Sequence, residues 1–197
     1  MAVMSGSWTF VTCTAGDPLL AAFHGGIYWQ AFAAQHEPLE VWQAALRGEH
    51  PYRLVVRLAL AGDGAIAGGI CYECYPRSGC GLLTYMVVAP GHRRSGLGEQ
   101  LLRAALVELA GAPAVFGEIA DDGERLARFL RWGARVVPGR YIQPALAPGL
   151  ARDRTLVLVA WAALPQLPGV VVRRFVEELY AVTEGGPPDP ECRYPVD

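Results

Sequence analysis

A chain of 197 residues has the length of one domain, enough to bury a sizeable core. A net charge of −2, with arginines spread along the chain, gives no field for nucleic acid, and no uninterrupted apolar run approaches the roughly 18 residues of a membrane span. The opening Met1-Ala-Val-Met-Ser-Gly-Ser-Trp8 has neither a basic start nor a long apolar stretch, so it does not read as a leader, and the expected location is the cytoplasm.

The pattern Trp8–Cys13 alternates and is rich in β-formers, which predicts a first strand. Asp17-Pro18 offers an N-cap and a proline at the first helical position, starting a helix to about Phe32 in which Gly25-Gly26 is a weak point, the place where it would split into two pieces. Glu37-Pro38 starts a second helix, with Leu39, Val41, Trp42, Ala45 and Leu46 as its apolar positions and Gly48 as its stop. Strands are expected over 52–61 and 65–75 around a Gly62-Asp-Gly64 turn, then over 81–88 after Pro76-Arg-Ser-Gly79. A helix over 96–110, a short strand over 115–119, a helix over 124–132 stopped by Gly133, and strands over 135–138 and 155–161 complete the pattern. Beyond it, 169–182 reads as an appended helix with Val172, Phe175, Leu179 and Val182 on one face, free to pack on its own domain or to form a homodimer contact. Gly185-Gly-Pro-Pro-Asp-Pro190 and the tail read as extended or loosely held. The expected division is one domain over 1–166, with the helix and turn-rich tail of 167–197 packed on it.

The five cysteines are odd in number. Cys71 and Cys74 have C-x-x-C spacing, but in a strand residues three apart face opposite sides, and finger-type partners are missing. Reduced, buried thiols and no metal site are the expectation.

The densest chemistry lies at Tyr85-Met-Val-Val-Ala-Pro-Gly-His-Arg-Arg-Ser-Gly-Leu-Gly-Glu99. A β-branched strand feeds a glycine-rich loop that opens an amphipathic helix, with Leu97, Leu101, Leu102, Ala105, Leu106 and Leu109 on one face. The first N–H groups of that helix lack intrahelical partners and carry the positive end of the dipole. Gly96 and Gly98 let a ligand approach the backbone, and Arg93 and Arg94 add full charges; together they read as a pyrophosphate site. All 17 basic residues are arginine, so a Walker loop and a lysine Schiff base are excluded. The dinucleotide fingerprint is also missing, because residue 101 is leucine where it needs glycine.

Arg93-x-x-Gly96-x-Gly98 directly after Val87-Val88-Ala89-Pro90 resembles the coenzyme A signature of the GNAT superfamily of acyl-CoA-dependent N-acyltransferases. The strand order β-α-α-β-β-β-α-β-α-β-β over residues 6–162 is what that resemblance predicts: an α/β (α+β) fold with a mixed, splayed central sheet flanked by helices. It implies acetyl-CoA as cosubstrate, with backbone N–H groups of Arg94, Ser95, Gly96, Leu97, Gly98 and Glu99 on the pyrophosphate and Val87 and Val88 along the pantetheine arm. In the family the sheet parts after this strand and the thioester lies in the gap, its carbonyl polarised by an N–H near Val88. Direct attack by a small-molecule or peptide amine then gives a tetrahedral intermediate.

The resemblance fails at one position. The family often places a tyrosine acid four residues before the glycine that is Gly133 here, and that residue is Phe129. Tyr141 is the candidate substitute, with a half-buried loop aromatic as its ordinary reading. For the base, Glu73 and Glu118 lie in apolar strands, where desolvation would raise a carboxyl pKa; each is equally readable as a strand-edge or salt-bridged glutamate. Tyr72, Tyr75 and Tyr85 could line an acceptor cleft or pack, as could Trp29, Phe32 and Trp42, and His92 sits beside the anion loop. The rival to an acetyltransferase is a domain that holds acyl-CoA without turnover, as a sensor or interaction partner.

Overall fold

The structure, a computed structural model, describes residues 8–32, 37–146, 149–162 and 167–195. His36, the first seven residues read for a leader, and residues 163–166 at the expected domain boundary lie outside these. The fold is mixed α/β, as expected: seven strands follow the order β1-β2-β3-β4-β5-β7-β6 in a mixed sheet flanked by helices. The chain condenses into two compact units, Met1–Glu73 with Leu83–Ala110, and Cys74–Leu82 with Gly111–Asp197.

In the first unit, β1 (Thr9–Thr12) pairs antiparallel with β2 (Arg53–Leu60), Thr9 opposite Leu60 and Thr12 opposite Arg57. β2 turns into β3 (Ile66–Cys74) at Asp63-Gly64, where Ala61 N–H donates to the Ala65 carbonyl at 2.8 Å. β3 is buried along almost its whole length, and two adjacent glycines explain how both of its faces can be covered. A Cβ on Gly68 would lie 2.9 Å from the Val87 carbonyl oxygen and 3.3 Å from Leu97 and Leu101, whereas one on Gly69 would lie 2.6 Å from Phe23 and 2.8 Å from Leu58. Gly68 thus admits α4 (Leu97–Glu108), and Gly69 admits α1 (Pro18–Phe23). Leu97, Leu101 and Leu102 are fully buried on α4, each worth about 1.5–3 kcal/mol relative to exposure. Arg57 of β2 donates to the Ala104 carbonyl at 3.3 Å and pairs with Glu108 at 2.6 Å, fixing the last turns of α4.

Asp17 caps α1 as expected, its carboxylate accepting from Leu19 N–H at 2.8 Å with Pro18 next. The helix to Phe32 is interrupted at the glycine pair that marked its weak point: a π turn spans His24–Tyr28, Gly26 leaves helical geometry at φ −100° and ψ −111°, and one short turn, α2 (Trp29–Ala31), follows. α3 (Leu39–Leu46) buries Trp42 and Ala45.

The second unit pairs β5 (Val115–Ala120) antiparallel with β7 (Leu156–Trp161), Glu118 opposite Leu158. β6 is only Arg135–Val136, shorter than the expected 135–138, because Pro138 has no N–H to donate and Gly139 turns away at φ +121°. α5 (Glu124–Arg131) buries Phe129 edge-on against Trp132 and Trp161. α6 (Gly169–Thr183) packs within its own unit: Phe175 stacks on Phe116 at 4.2 Å and 13°. Glu178 of this helix is buried at 2% exposure, where it accepts from the N–H groups of Arg77 at 2.8 Å and Ser78 at 2.6 Å.

The tail departs from expectation. Arg152 pairs with Glu184 at 2.6 Å and Asp189 at 2.8 Å, Arg154 with Asp189 and Glu191, and Arg140 with Glu191. Arg140 also exchanges both backbone hydrogen bonds with Arg193. The composition around Pro187-Pro188-Asp-Pro190 suggested loose chain, but its charged neighbours find arginines more than 30 residues upstream.

Candidate active site

Strand β4 (Gly81–Val88) ends where Ala89 N–H donates to the Ala67 carbonyl at 2.9 Å. A single 3-10 turn, Pro90–His92, follows, closed by Ser95 Oγ donating to the His92 carbonyl at 2.6 Å. Arg94 then has φ +63°, and among the described residues it is the one non-glycine with positive φ. Gly96, the N-cap of α4, has φ +84° and ψ −4°. A non-glycine held there is uncommon and tends to mark functional loops. Left-handed residues alternating through a loop turn successive N–H groups toward one side, the backbone concavity that binds anions. At Gly96 the conformation, not crowding, selects glycine, since the nearest atom to an added Cβ is Gln100 Nε2 at 4.0 Å.

The side chains agree with this geometry. Arg93, Arg94 and Gly96 are exposed, Ser95, Gly98 and Glu99 are half-buried, and Leu97 is anchored in the core. Glu99 is engaged with Arg103 at 2.6 Å one turn on, and among the described residues neither Arg93 nor Arg94 joins an ion pair. Arg93 Nε donates to the Val88 carbonyl at 3.3 Å, so this side chain lies back along the strand end. Val87 is buried, while Leu83 to Met86 and Val88 are half-exposed in a strand with neighbours on both sides. His92 is half-buried with its ring edge-on to Trp8 at 5.1 Å, a packing role.

Of the acid–base candidates, Glu118 and Tyr141 are brought together. Tyr141 Oη donates to Glu118 Oε1, and Gln143 Nε2 donates to Oε2 at 2.8 Å. Gln143 is itself fixed by backbone pairing with Asp153. Burial pushes the Glu118 carboxyl above the usual carboxylate range, partly opposed by those two donors; burial and the Glu118 charge push the Tyr141 phenol well above its ordinary value. Glu118 lies two residues beyond Phe116 and so on the sheet face that carries Phe175. Glu73 is buried at 8% exposure on β3, in the first unit. Sequence reasoning missed Gln143, although its spacing of two from Tyr141 in an extended segment would have set both on one side.

Tyr72 and Tyr75 are fully buried, and Tyr75 packs edge-on to Phe175. Tyr85, Phe32, Tyr28 and Trp42 form one aromatic cluster, with Tyr28–Tyr85 at 4.9 Å and Phe32–Tyr85 at 5.0 Å. All five cysteines are free: Cys13, Cys71, Cys80 and Cys192 are buried and Cys74 half-buried. Burial pushes the Cys13 thiol up to about 11 and Cys71 well above its usual value, which keeps both protonated.

The loop, strand and helix lie inside residues 23–134, which match the sequence profile of the acetyltransferase (GNAT) family, more than half of the chain. The chain belongs to the GNAT acetyltransferase family. Acyl-CoA is the cosubstrate of GNAT acetyltransferases. Among solved structures, a Bacteroides thetaiotaomicron protein described as a GNAT-family acetyltransferase has the same fold at TM-score 0.71 and 16% identity, over 90% of this chain and 99% of that one. An acetyltransferase from Bacillus subtilis, solved in complex with CoA, matches at TM-score 0.56 and 15% identity over 80% of this chain and 100% of its own. The ribosomal-protein-S18-alanine N-acetyltransferase of Escherichia coli matches at 0.56 and 17% over 78% and 94%. No curated protein matches the chain. Among the described residues, no helix of this GNAT protein is long and apolar enough to cross a membrane.

Proposed function

We propose that this protein is a cytoplasmic N-acetyltransferase that moves acetyl from acetyl-CoA to a primary amine of a small molecule or a peptide. The observation that carries the reading is the left-handed pair Arg94 and Gly96 at the N-terminus of α4, inside the family-matched segment, where Arg93 and Arg94 join no ion pair among the described residues. On this reading the N–H groups from Arg94 to Glu99 hold the pyrophosphate, and Val87 and Val88 hydrogen-bond the pantetheine arm. An N–H near Val88 polarises the thioester carbonyl. The amine lone pair attacks the carbonyl carbon, the new C–N bond forms, and collapse of the tetrahedral adduct breaks C–S. The amine gives up a proton and the departing CoA thiolate takes one.

We assign the base to Glu118 ahead of Glu73, because burial raises its carboxyl above the ordinary range and Tyr141 stands hydrogen-bonded beside it as a partner in proton exchange. Tyr141 is the proposed proton source in place of the family's tyrosine at position 129. Residues 1–166 form the proposed catalytic domain and 167–197 its C-terminal helix and tail.

The test is CoA release with a panel of amines, for wild type and Glu118→Gln. The assignment predicts amine-dependent release that falls by about 10²- to 10⁴-fold in the variant. Unchanged turnover in Glu118→Gln would move the base elsewhere. Acetyl-CoA binding without release toward any amine would instead favour a sensor or interaction module, the reading that Phe129, buried between two tryptophans, supports.

A further inference from the structure

Glu37 is pinned from three directions. Its N–H donates to Tyr28 Oη at 2.9 Å, its carbonyl lies 2.7 Å from His24 Nε2, and its Oε2 accepts from the Trp42 indole at 2.9 Å. Three side chains from the first helices therefore fix one short piece of backbone and aim one carboxylate. Among the described residues, that carboxylate has no salt-bridge partner. A half-buried carboxylate held in one position by neighbouring side chains is a ready partner for a cation.

Its surroundings suit one. Tyr28 and Trp42, buried at 0% and 1% exposure, stand 4.5 Å apart; Phe32 and Tyr85, both half-exposed, meet at 5.0 Å. The hydrogen bonds of Glu37 to Tyr28 and Trp42, whose rings lie 4.9 Å and 5.8 Å from that of Tyr85, place it beside this cluster. A fixed carboxylate rimmed by aromatic rings is the arrangement that recognises an ammonium group, by ion pairing with a cation–π contribution. Tyr85 lies on β4, two residues before Val87 and on the same face, so this cluster and the proposed cofactor loop are built on one strand.

We infer that Glu37, with Phe32 and Tyr85, forms the subsite for a cationic acceptor carrying an apolar or aromatic body. This rests on the acetyltransferase reading for its place in the reaction, although binding can be tested without it. Glu37 is a specificity-determining residue here, and the base is a separate assignment.

The experiment has two arms. In the first, thermal melting is followed with phenethylammonium or the neutral 2-phenylethanol at millimolar concentration and no acetyl-CoA. Wild type is stabilised by the ammonium and not by the alcohol, and Glu37→Gln loses that stabilisation. In the second, kcat/KM for phenethylamine falls about ten- to a hundredfold in Glu37→Gln, the value lost with a charged hydrogen-bond partner. The change lies in KM, while the acetyl-CoA dissociation constant and the rate with uncharged aniline hold. Glu37→Asp keeps the charge and recovers part of the loss. Equal stabilisation by alcohol and ammonium, equal losses toward aniline and phenethylamine, or no stabilisation of wild type would overturn the subsite. Should Glu37→Gln fail to fold, Phe32→Ala must weaken ammonium protection at unchanged acetyl-CoA affinity, or the inference falls. A wild type protected by ammonium that binds no acetyl-CoA would sink the acetyltransferase reading and leave the subsite standing.

Discussion

Gly68→Ala tests how the cofactor loop is seated. The added methyl would lie 2.9 Å from the Val87 carbonyl oxygen, closer than real Cβ contacts come, and 3.3 Å from the tips of Leu97 and Leu101. The two leucines can rotate, but the carbonyl belongs to the backbone of β4, so strand and helix must separate by several tenths of an ångström. Overpacking of this kind costs about 1–3 kcal/mol, which for a chain of this length lowers Tm by about 2–12 °C. Because the displaced carbonyl belongs to the strand proposed to bind pantetheine, acetyl-CoA affinity falls as well, by about 2- to 12-fold for one weakened hydrogen bond. Gly69→Ala is the control. Its methyl points to the opposite face, into Phe23 at 2.6 Å and Leu58 at 2.8 Å, so it destabilises at least as much but leaves affinity nearly unchanged. Calorimetric titration with parallel thermal melting reads both quantities. A Gly69→Ala loss of affinity equal to that of Gly68→Ala would refute the reasoning, as would an unchanged melting point in Gly68→Ala.

Two further outcomes follow from buried carboxylates. Glu118 must be ionised to accept a proton, and burial raises its pKa, so kcat/KM should rise with pH through an inflection above the ordinary carboxylate range; Glu118→Gln should erase that limb of the profile, and a surviving limb would assign it to another group. The sign for stability is opposite: a carboxyl raised in the folded state favours folding below its unfolded value and loses that contribution as pH climbs through the folded one. Glu178→Ala strips two hydrogen bonds from the 77–78 turn and should cost about 2–4 kcal/mol in chemical denaturation while leaving acetyl-CoA affinity intact, and a cost under about 0.5 kcal/mol would contradict the latch.

The strand–loop–helix stretch was legible because every feature of it is local. Val87-Val88 favour a strand, Pro90-Gly91 end it, Gly96 permits φ +84°, and the leucines of α4 repeat on one face. Asp17-Pro18 announced α1 for the same reason. Gly25-Gly26 marked the weak point of the first helix, but the π turn that fills it depends on Tyr28 and His24 reaching Glu37, nine and thirteen residues away. The Glu118–Tyr141–Gln143 group was half visible: Glu118 and Tyr141 stood out by type and place, yet 23 residues separate them and nothing local says they touch. Glu178 passed unnoticed and the tail was misjudged because partners about 100 and more than 30 residues upstream hold them. Glu37 was read as a helix start, its side chain's neighbours being set by the fold.

The cofactor site is tested most directly by calorimetric titration of acetyl-CoA into wild type and Gly96→Glu. The substitution finds open space for its Cβ, costs about 1–2 kcal/mol of left-handed strain, and sets a negative charge where the pyrophosphate belongs. Wild type should bind at a dissociation constant of roughly 1 μM, about −8 kcal/mol, and binding should be lost in a variant that still melts cooperatively. Equal binding by the folded variant, or no binding of acetyl-CoA by wild type, would contradict that placement of the pyrophosphate.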